Sequence, residues 1–210
     1  KQLLSNQVAI DTPAGPSEIL ILADETAKVN HIILDFLSQI EHDPDNIGVI
    51  VSNSSELIQS IQESIEKFVK RSERKDIIEP ALKNNSLLIE APTMKECLRI
   101  TNLIAPEHLE ILTKNPREQL KSVQNAGAIF LGEYSPVPLG DYCAGTNHIL
   151  PTGGNASKYS GLNVFDFLKM MDVLECSKEG LENLADSVKV LAEFEGLHEH
   201  KRAIEERQKD

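Results

Sequence analysis

Five short apolar runs, ILILA (19–23), IGVIVS (47–52), SLLIEA (86–91), HLEILT (108–113) and AIFLG (128–132), recur along the chain with helical text between them. Val29, Ile33, Phe36 and Ile40 return at the 3.6-residue period after Asp24, and Leu57, Ile61, Ile65 and Phe68 do the same over residues 56–68. Residues 94–103 and 116–123 complete the alternation. Strands separated by helices can close only as a parallel sheet whose two faces are covered, because each crossover must pack back on the sheet. Before the first of these runs, residues 8–10 read as a short strand, and DTPAGPSE (11–18) reads as a loop set by its prolines and glycine.

From 133 to 158 the text changes, with seven glycines and prolines between Pro136 and Gly154. A loop of that length inside a compact domain is ordinarily functional or disordered. Beyond it, residues 164–171 and 178–204 read as helices. The chain opens on Lys1, and KQLLSNQ already has helical spacing, so the expectation is that this text is part of a longer polypeptide.

Thirty-three acidic against twenty-one basic side chains give a formal charge of −12, which argues against nucleic acid or an anionic membrane as partner. Small molecules or protein surfaces are the expected partners. Cys97, Cys143 and Cys176 stand singly, without the spacing of a disulfide framework or a zinc knuckle, and a reducing cytoplasm is expected. No apolar run approaches the roughly 20 residues that cross a bilayer.

Four stretches carry chemistry. In DFLSQIEHDPD, Gln39 and His42 are three apart at the end of a helical segment, where both could reach one ion or merely finish a solvated helix. In APEHLEI, Glu107 and His108 are the equipment of acid–base chemistry, although neighbours on an extended strand point in opposite directions. In LGDYCAGTNHILPTGG, Gly140 and Gly145 have phosphate-loop spacing, but Thr146 stands where a lysine is required. Asp141 there could be a ligand or a turn carboxylate, and Cys143, with no activating neighbour, reads as filler. In EGLHEHKRAIEER, Glu195, His198, Glu199 and His200 lie on helical text, with Glu195 sharing a face with His198 and Glu199; a solvated helix is the bland alternative. Imidazole, carboxylate and carboxamide without thiolate suit a catalytic zinc better than a structural one.

IDTPAGPSEILILAD, FLSQIEHDPD, APEHLEI, GDYCAGTNHILPT, SGLNVFDFLK and EGLHEHKRAI, in this order and spacing, resemble segments of the histidinol dehydrogenase family, over the C-terminal half or so of that family's length. The resemblance implies a doubly wound, mainly parallel, Rossmann-like α/β sheet of the aldehyde-dehydrogenase-like kind, followed by a C-terminal helical dimerisation segment. It implies residues 1–18 as the truncated end of the dinucleotide-side domain, 19–158 as a partial zinc-site domain and 159–210 as the dimerisation segment. Gln39, His42 and Asp141 match zinc ligands, with His200 as the fourth, reaching the partner's site in a homodimer. Ser17, His108 and Glu195 match substrate-contacting positions, and Gln39, His42, Asp141 and His200 count among the substrate-binding residues as well.

Glu107 and His108 match the catalytic pair. The implied reaction is oxidation of L-histidinol through the aldehyde to L-histidine with two NAD, His108 taking the alcohol proton, Glu107 activating water and His148 assisting. Residues that contact NAD are expected upstream of this text, so the 210-residue chain is expected to be inactive alone. Ala105 and Ile40 depart from the family pattern, with packing the expected consequence, and the family gives Cys143 no task. A zinc-binding or dimerising module without catalysis is the main alternative, and metal-dependent hydrolysis without NAD would use the same ligands.

Overall fold

A computed structural model describes all residues except Lys1, Ser5, Ala9, Pro13 and Asp210. Five parallel strands form one sheet: β1 (Glu18–Ala23), β2 (Ile47–Ser52), β3 (Ser86–Glu90), β4 (His108–Leu112) and β5 (Ala128–Leu131), in the order β3-β2-β1-β4-β5. That order is the doubly wound, Rossmann-like one, with its reversal between β1 and β4. The helices that connect the strands are α1 (Val29–Ile40), α2 (Ser55–Val69), α3 (Lys75–Asn84), α4 (Met94–Ile104) and α5 (Pro116–Leu120).

Every side chain of β1 is buried, which only a strand covered on both faces can satisfy. Ile19, Ile21 and Ala23 pack under Ile33, Phe36 and Ile40 of α1, Ile61 and Ile65 of α2 and Ile78 of α3. Leu20 and Leu22 face the other way, with Val49, Leu109 and Ile111, toward Cys97 and Leu98 of α4. Helix starts follow local chemistry. Ser54 accepts from the Leu57 N–H at 3.2 Å and Thr93 from the Glu96 N–H at 3.2 Å, each satisfying a backbone donor that the first turn leaves open.

Several expectations change. Val8 and Ile10 lie outside any strand, and Ala9, the middle of the expected strand at 8–10, is outside the described residues, as are Lys1 and Ser5 of the opening segment, where Gln2–Leu4 form a 3-10 turn. Helix α1 starts at Val29 because the Asp24 carboxylate binds the Thr26 N–H and hydroxyl, tying residues 24–26 into a turn. Helix α3 escapes the apolar pattern because Pro80 sits inside it and only Ile78 and Ala81 are buried. Helix α6 (Val137–Tyr142) occupies the stretch that composition marks as loop. The helix expected over 164–171 shrinks to a 3-10 turn at Val164–Phe167.

The chain divides into two compact units, Lys1–Phe167 and Leu168–Asp210. The second is a hairpin of α7 (Lys178–Phe194) and α8 (His198–Arg207) rather than one helix over 178–204. Gly196, at φ +71°, makes the break, and the Leu197 N–H returns to the Ala192 carbonyl at 2.8 Å. Lys201 pairs with Glu193 at 2.7 Å across the hairpin. Among the described residues, no helix is long and apolar enough to cross a membrane.

Candidate active site

The chemistry-bearing residues of the first unit gather at the amino-terminal edge of the sheet, opposite to the edge where doubly wound folds usually hold ligands. Helix direction explains this. Helix α1 runs against the strands, so its last turn delivers Gln39 to the edge where β1 begins with Glu18 and β4 begins with His108. The carboxyl edge carries a cavity of about 230 Å³ lined by Thr26, Lys28, His31, Thr113, Lys114 and Glu133, where Lys28 is already paired with Glu133.

One residue of β1 grips both members of the acid–base pair. The Glu18 N–H donates to Glu107 Oε2 at 2.9 Å, and the Glu18 carbonyl oxygen lies 3.1 Å from His108 Nδ1. Glu107 and His108 therefore do not diverge, contrary to the expectation for neighbours on a strand. Glu107 precedes β4, and its carboxylate turns onto β1, within 3.5 Å of His108 Nδ1. Ala105, in the left-handed region at φ 51° and ψ 61°, ends α4 and turns the chain into Pro106 and Glu107. Its consequence is thus for the backbone that aims Glu107, beyond packing. Gly127 lets β5 approach: its N–H binds the Pro106 carbonyl at 2.9 Å, and a Cβ there would stand 2.6 Å from the Glu107 carbonyl oxygen.

A carbonyl oxygen can only accept, so Nδ1 of His108 carries the proton and Nε2 keeps its lone pair. Nε2 points toward Asp141, with Oδ1 at 4.0 Å. Burial holds the His108 imidazole below its ordinary pKa, opposed by the Glu18 carbonyl and the Asp141 charge and reinforced by His148 and His42. Burial pushes the Glu107 carboxyl up to about 7; the Glu18 N–H and the Ser17 hydroxyl oppose that shift, and the Glu18 and Asp141 charges add to it. Burial likewise raises Glu18, whose carboxylate accepts from the Gly153 N–H and fastens the far end of the long loop.

Asp141 lies near the end of α6, and Gln39 Nε2 reaches its Oδ2 at 3.4 Å. His148 Nδ1 meets Oδ1 at 3.1 Å while the imidazole stays 75% exposed. Gly140 allows this placement, since a Cβ would stand 2.6 Å from both Phe130 and Thr146. His42 stands directly past the α1 C-cap, Glu41, outside the helix whose last turn carries Gln39. Its charge is nonetheless felt at His108. Two buried residues that the sequence reading missed complete the group. Glu18 acts as above, and Asn46 accepts from the Ser17 N–H at 3.0 Å and donates to the Gln39 carbonyl at 2.9 Å, tying both residues to one carboxamide. A polar residue following DPD is the only signal the sequence offers for Asn46.

Ser17, Gln39, Glu107, His108, Asp141 and His148 are thus brought together in the first unit, with His42 nearby. Glu195 and His200 belong to the second. Glu195 caps α7 and His200 lies in the first turn of α8, both exposed, so Gly196 separates Glu195 from the helical face it was expected to share with His198 and Glu199. Cys143 is exposed at the end of α6 and is not the apolar filler expected. Among the described residues, no three His, Cys, Asp or Glu side chains form a metal-holding group. The donor set at hand instead includes the Gln39 carboxamide, and Asp141 and Gln39 with neighbouring imidazoles fit a cation that accepts oxygen and nitrogen.

The family model described as histidinol dehydrogenase matches residues 1–208. The chain belongs to the histidinol dehydrogenase family. The histidinol dehydrogenase of Methanocaldococcus jannaschii is 50% identical over 209 residues, covering 100% of this chain and 48% of the relative. That of Methanococcus maripaludis is 48% identical over 207 residues, covering 99% and 48%. The crystal structure of histidinol dehydrogenase from Elizabethkingia anophelis superposes with a TM-score of 0.91 at 37% identity, covering 100% of this chain and 48% of that one. The chain therefore spans about half the length of the histidinol dehydrogenases it matches.

Proposed function

We propose that this chain supplies the acid–base and metal-holding half of a histidinol dehydrogenase, oxidising L-histidinol through L-histidinal to L-histidine in the cytoplasm. The observation that carries the reading is the arrangement around His108: Nδ1 is engaged by the Glu18 carbonyl, and Nε2 is directed at the space beside Asp141 and Gln39. A buried, neutral imidazole with one free lone pair is a proton acceptor for an alcohol, and its low pKa keeps it in that form at neutral pH.

Gln39, His42 and Asp141 would hold zinc, with His200 of a second copy as fourth ligand in a homodimer and Glu195 meeting the substrate from that copy. When bound, zinc would fix the substrate by its imidazole and amino group and so place its alcohol carbon, and NAD, held by residues outside this chain, would accept hydride. The chain's own residues do the proton work. His108 Nε2 takes the alcohol proton in the first oxidation. Glu107, whose carboxyl ionises near neutrality, takes a proton from water in the hydration that precedes the second. Ser17 donates to Glu107 and steadies it, and Asn46 fixes both Ser17 and Gln39. His148 orients the Asp141 carboxylate.

In this reading residues 1–18 belong to the dinucleotide side, 19–158 to the zinc-site domain and 159–210 to the dimerising segment, and the chain alone turns over no histidinol. Metal analysis of the purified chain, beside His42→Ala and Asp141→Ala, tests the ligands: both variants should lose metal, and unchanged content in both would end the proposal. NAD-dependent histidinol turnover by the 210-residue chain alone would overturn the division of labour.

A further inference from the structure

Glu110 is a fully buried carboxyl in the middle of β4 for which the acid–base chemistry above has no use. One oxygen, Oε1, accepts from the Val137 N–H at 2.8 Å. Val137 opens α6, whose N-cap, Pro136, offers no side-chain acceptor, so Glu110 takes the place of a cap. Among the described residues, no amide or hydroxyl donor reaches the other oxygen, Oε2, although it is enclosed. The Glu110 carboxyl also hydrogen-bonds that of Asp35 on α1, so one of the two acids must carry the proton that joins them. Burial is the main cause that raises both carboxyls, Glu110 to about 8, so the pair keeps that proton at neutral pH.

Asp35 is the middle of three α1 positions one turn apart, and each meets a carboxylate of another element. His31 lies 3.6 Å from Glu133, Asp35 faces Glu110, and Gln39 reaches Asp141 at 3.4 Å. The first and last of these contacts are with the segment between β5 and the end of α6. The middle one binds that segment's helix start through Val137.

We infer that the Asp35–Glu110 pair is a positioning clamp: it fastens α6 to α1 and so sets where Asp141 stands relative to Gln39. Neither residue touches substrate or metal. A six-residue helix has too few internal hydrogen bonds to hold its own place, so an external grip on its first N–H decides where its last turn lies. The clamp stands on this geometry alone, whereas its consequence for metal affinity rests on the ligand reading of Gln39, His42 and Asp141.

The test compares Glu110→Leu, Glu110→Gln and Asp35→Ala in the 210-residue chain, by amide hydrogen exchange without metal and by cobalt(II) titration. Glu110→Leu keeps a packed apolar side chain but cannot grip Val137. Exchange of the Cys143 and Ala144 amides, which both bond to the Leu139 carbonyl, should rise by several-fold up to about tenfold, the weight of one hydrogen bond. Cobalt affinity should fall by about 10- to 100-fold, as when a residue that orients a ligand is lost. Glu110→Gln can accept from Val137 and donate to Asp35, and should restore both readings. Asp35→Ala, at a half-buried position, serves if Glu110→Leu does not fold, and should raise the same exchange.

Wild-type exchange at those amides in a folded Glu110→Leu or Asp35→Ala chain would overturn the clamp, as would failure of Glu110→Gln to rescue. Raised exchange with cobalt affinity unchanged, and unchanged in Asp141→Ala as well, would uphold the clamp and reject the ligand reading.

Discussion

His108 Nδ1 stands 3.1 Å from the carbonyl oxygen of Glu18, and this contact decides which nitrogen of the imidazole is free to work. The strand pairing that sets Ile19 beside His108 brings the preceding carbonyl into reach, so a backbone group takes the orienting role that a carboxylate often fills.

Nitrogen-15 NMR of the metal-free chain should therefore find His108 neutral and protonated at Nδ1, with a pKa below the ordinary 6.5. Protonation at Nε2 would remove the proton acceptor. In a full-length enzyme carrying this half, His108→Gln should cost about 10²- to 10⁴-fold in turnover while metal content stays, the usual weight of one acid–base group.

Gln39→Ala should weaken metal binding even though Gln39 carries no charge, because it removes the carboxamide that reaches Asp141. His148→Ala should weaken it less, since that imidazole is three-quarters exposed and reaches the site through the Asp141 carboxylate. Calorimetric titration with zinc orders the two variants, and the reverse order would contradict the assigned roles.

Stability of the metal-free chain should fall as pH rises from about 6.5 to 8. Unfolded, Glu107 and Glu110 release their protons near 4.5; folded, they hold them to about 7 and about 8. The folded state thus binds more protons across this window, and each rise in pH favours unfolding. His108, depressed from 6.5, works in the opposite sense only below that value, where the unfolded chain takes up a proton that the folded chain refuses. Thermal unfolding across the window checks the slope. A flat or rising midpoint would contradict it, and Glu110→Gln should flatten it.

Ala105→Val should destabilise the chain by about 2 kcal/mol or more, because a β-branched side chain is strained at φ 51° and this position is buried. Denaturant unfolding measures the loss. Because Ala105 turns the chain toward Glu107, the variant should also lower the Glu107 pKa toward that of an exposed carboxylate.

The alternation of ILILA, IGVIVS, SLLIEA, HLEILT and AIFLG with helical text determined the parallel sheet, since hydrophobic periodicity is a local property that burial must satisfy. The order and spacing of motifs around Gln39, Glu107 and Asp141 likewise placed the chain in its family. Other features came only from tertiary structure. That Glu18 and Asn46 would be buried organisers, that Glu107 would fold back beside His108, and that α6 would form within a glycine- and proline-rich stretch all depend on hydrogen bonds spanning from about 7 to about 90 residues, or on a buried carboxyl from another strand. Local propensity carries no record of such partners. Which edge of the sheet holds the site was decided by the direction of α1, which brings Gln39 to where β1 and β4 begin.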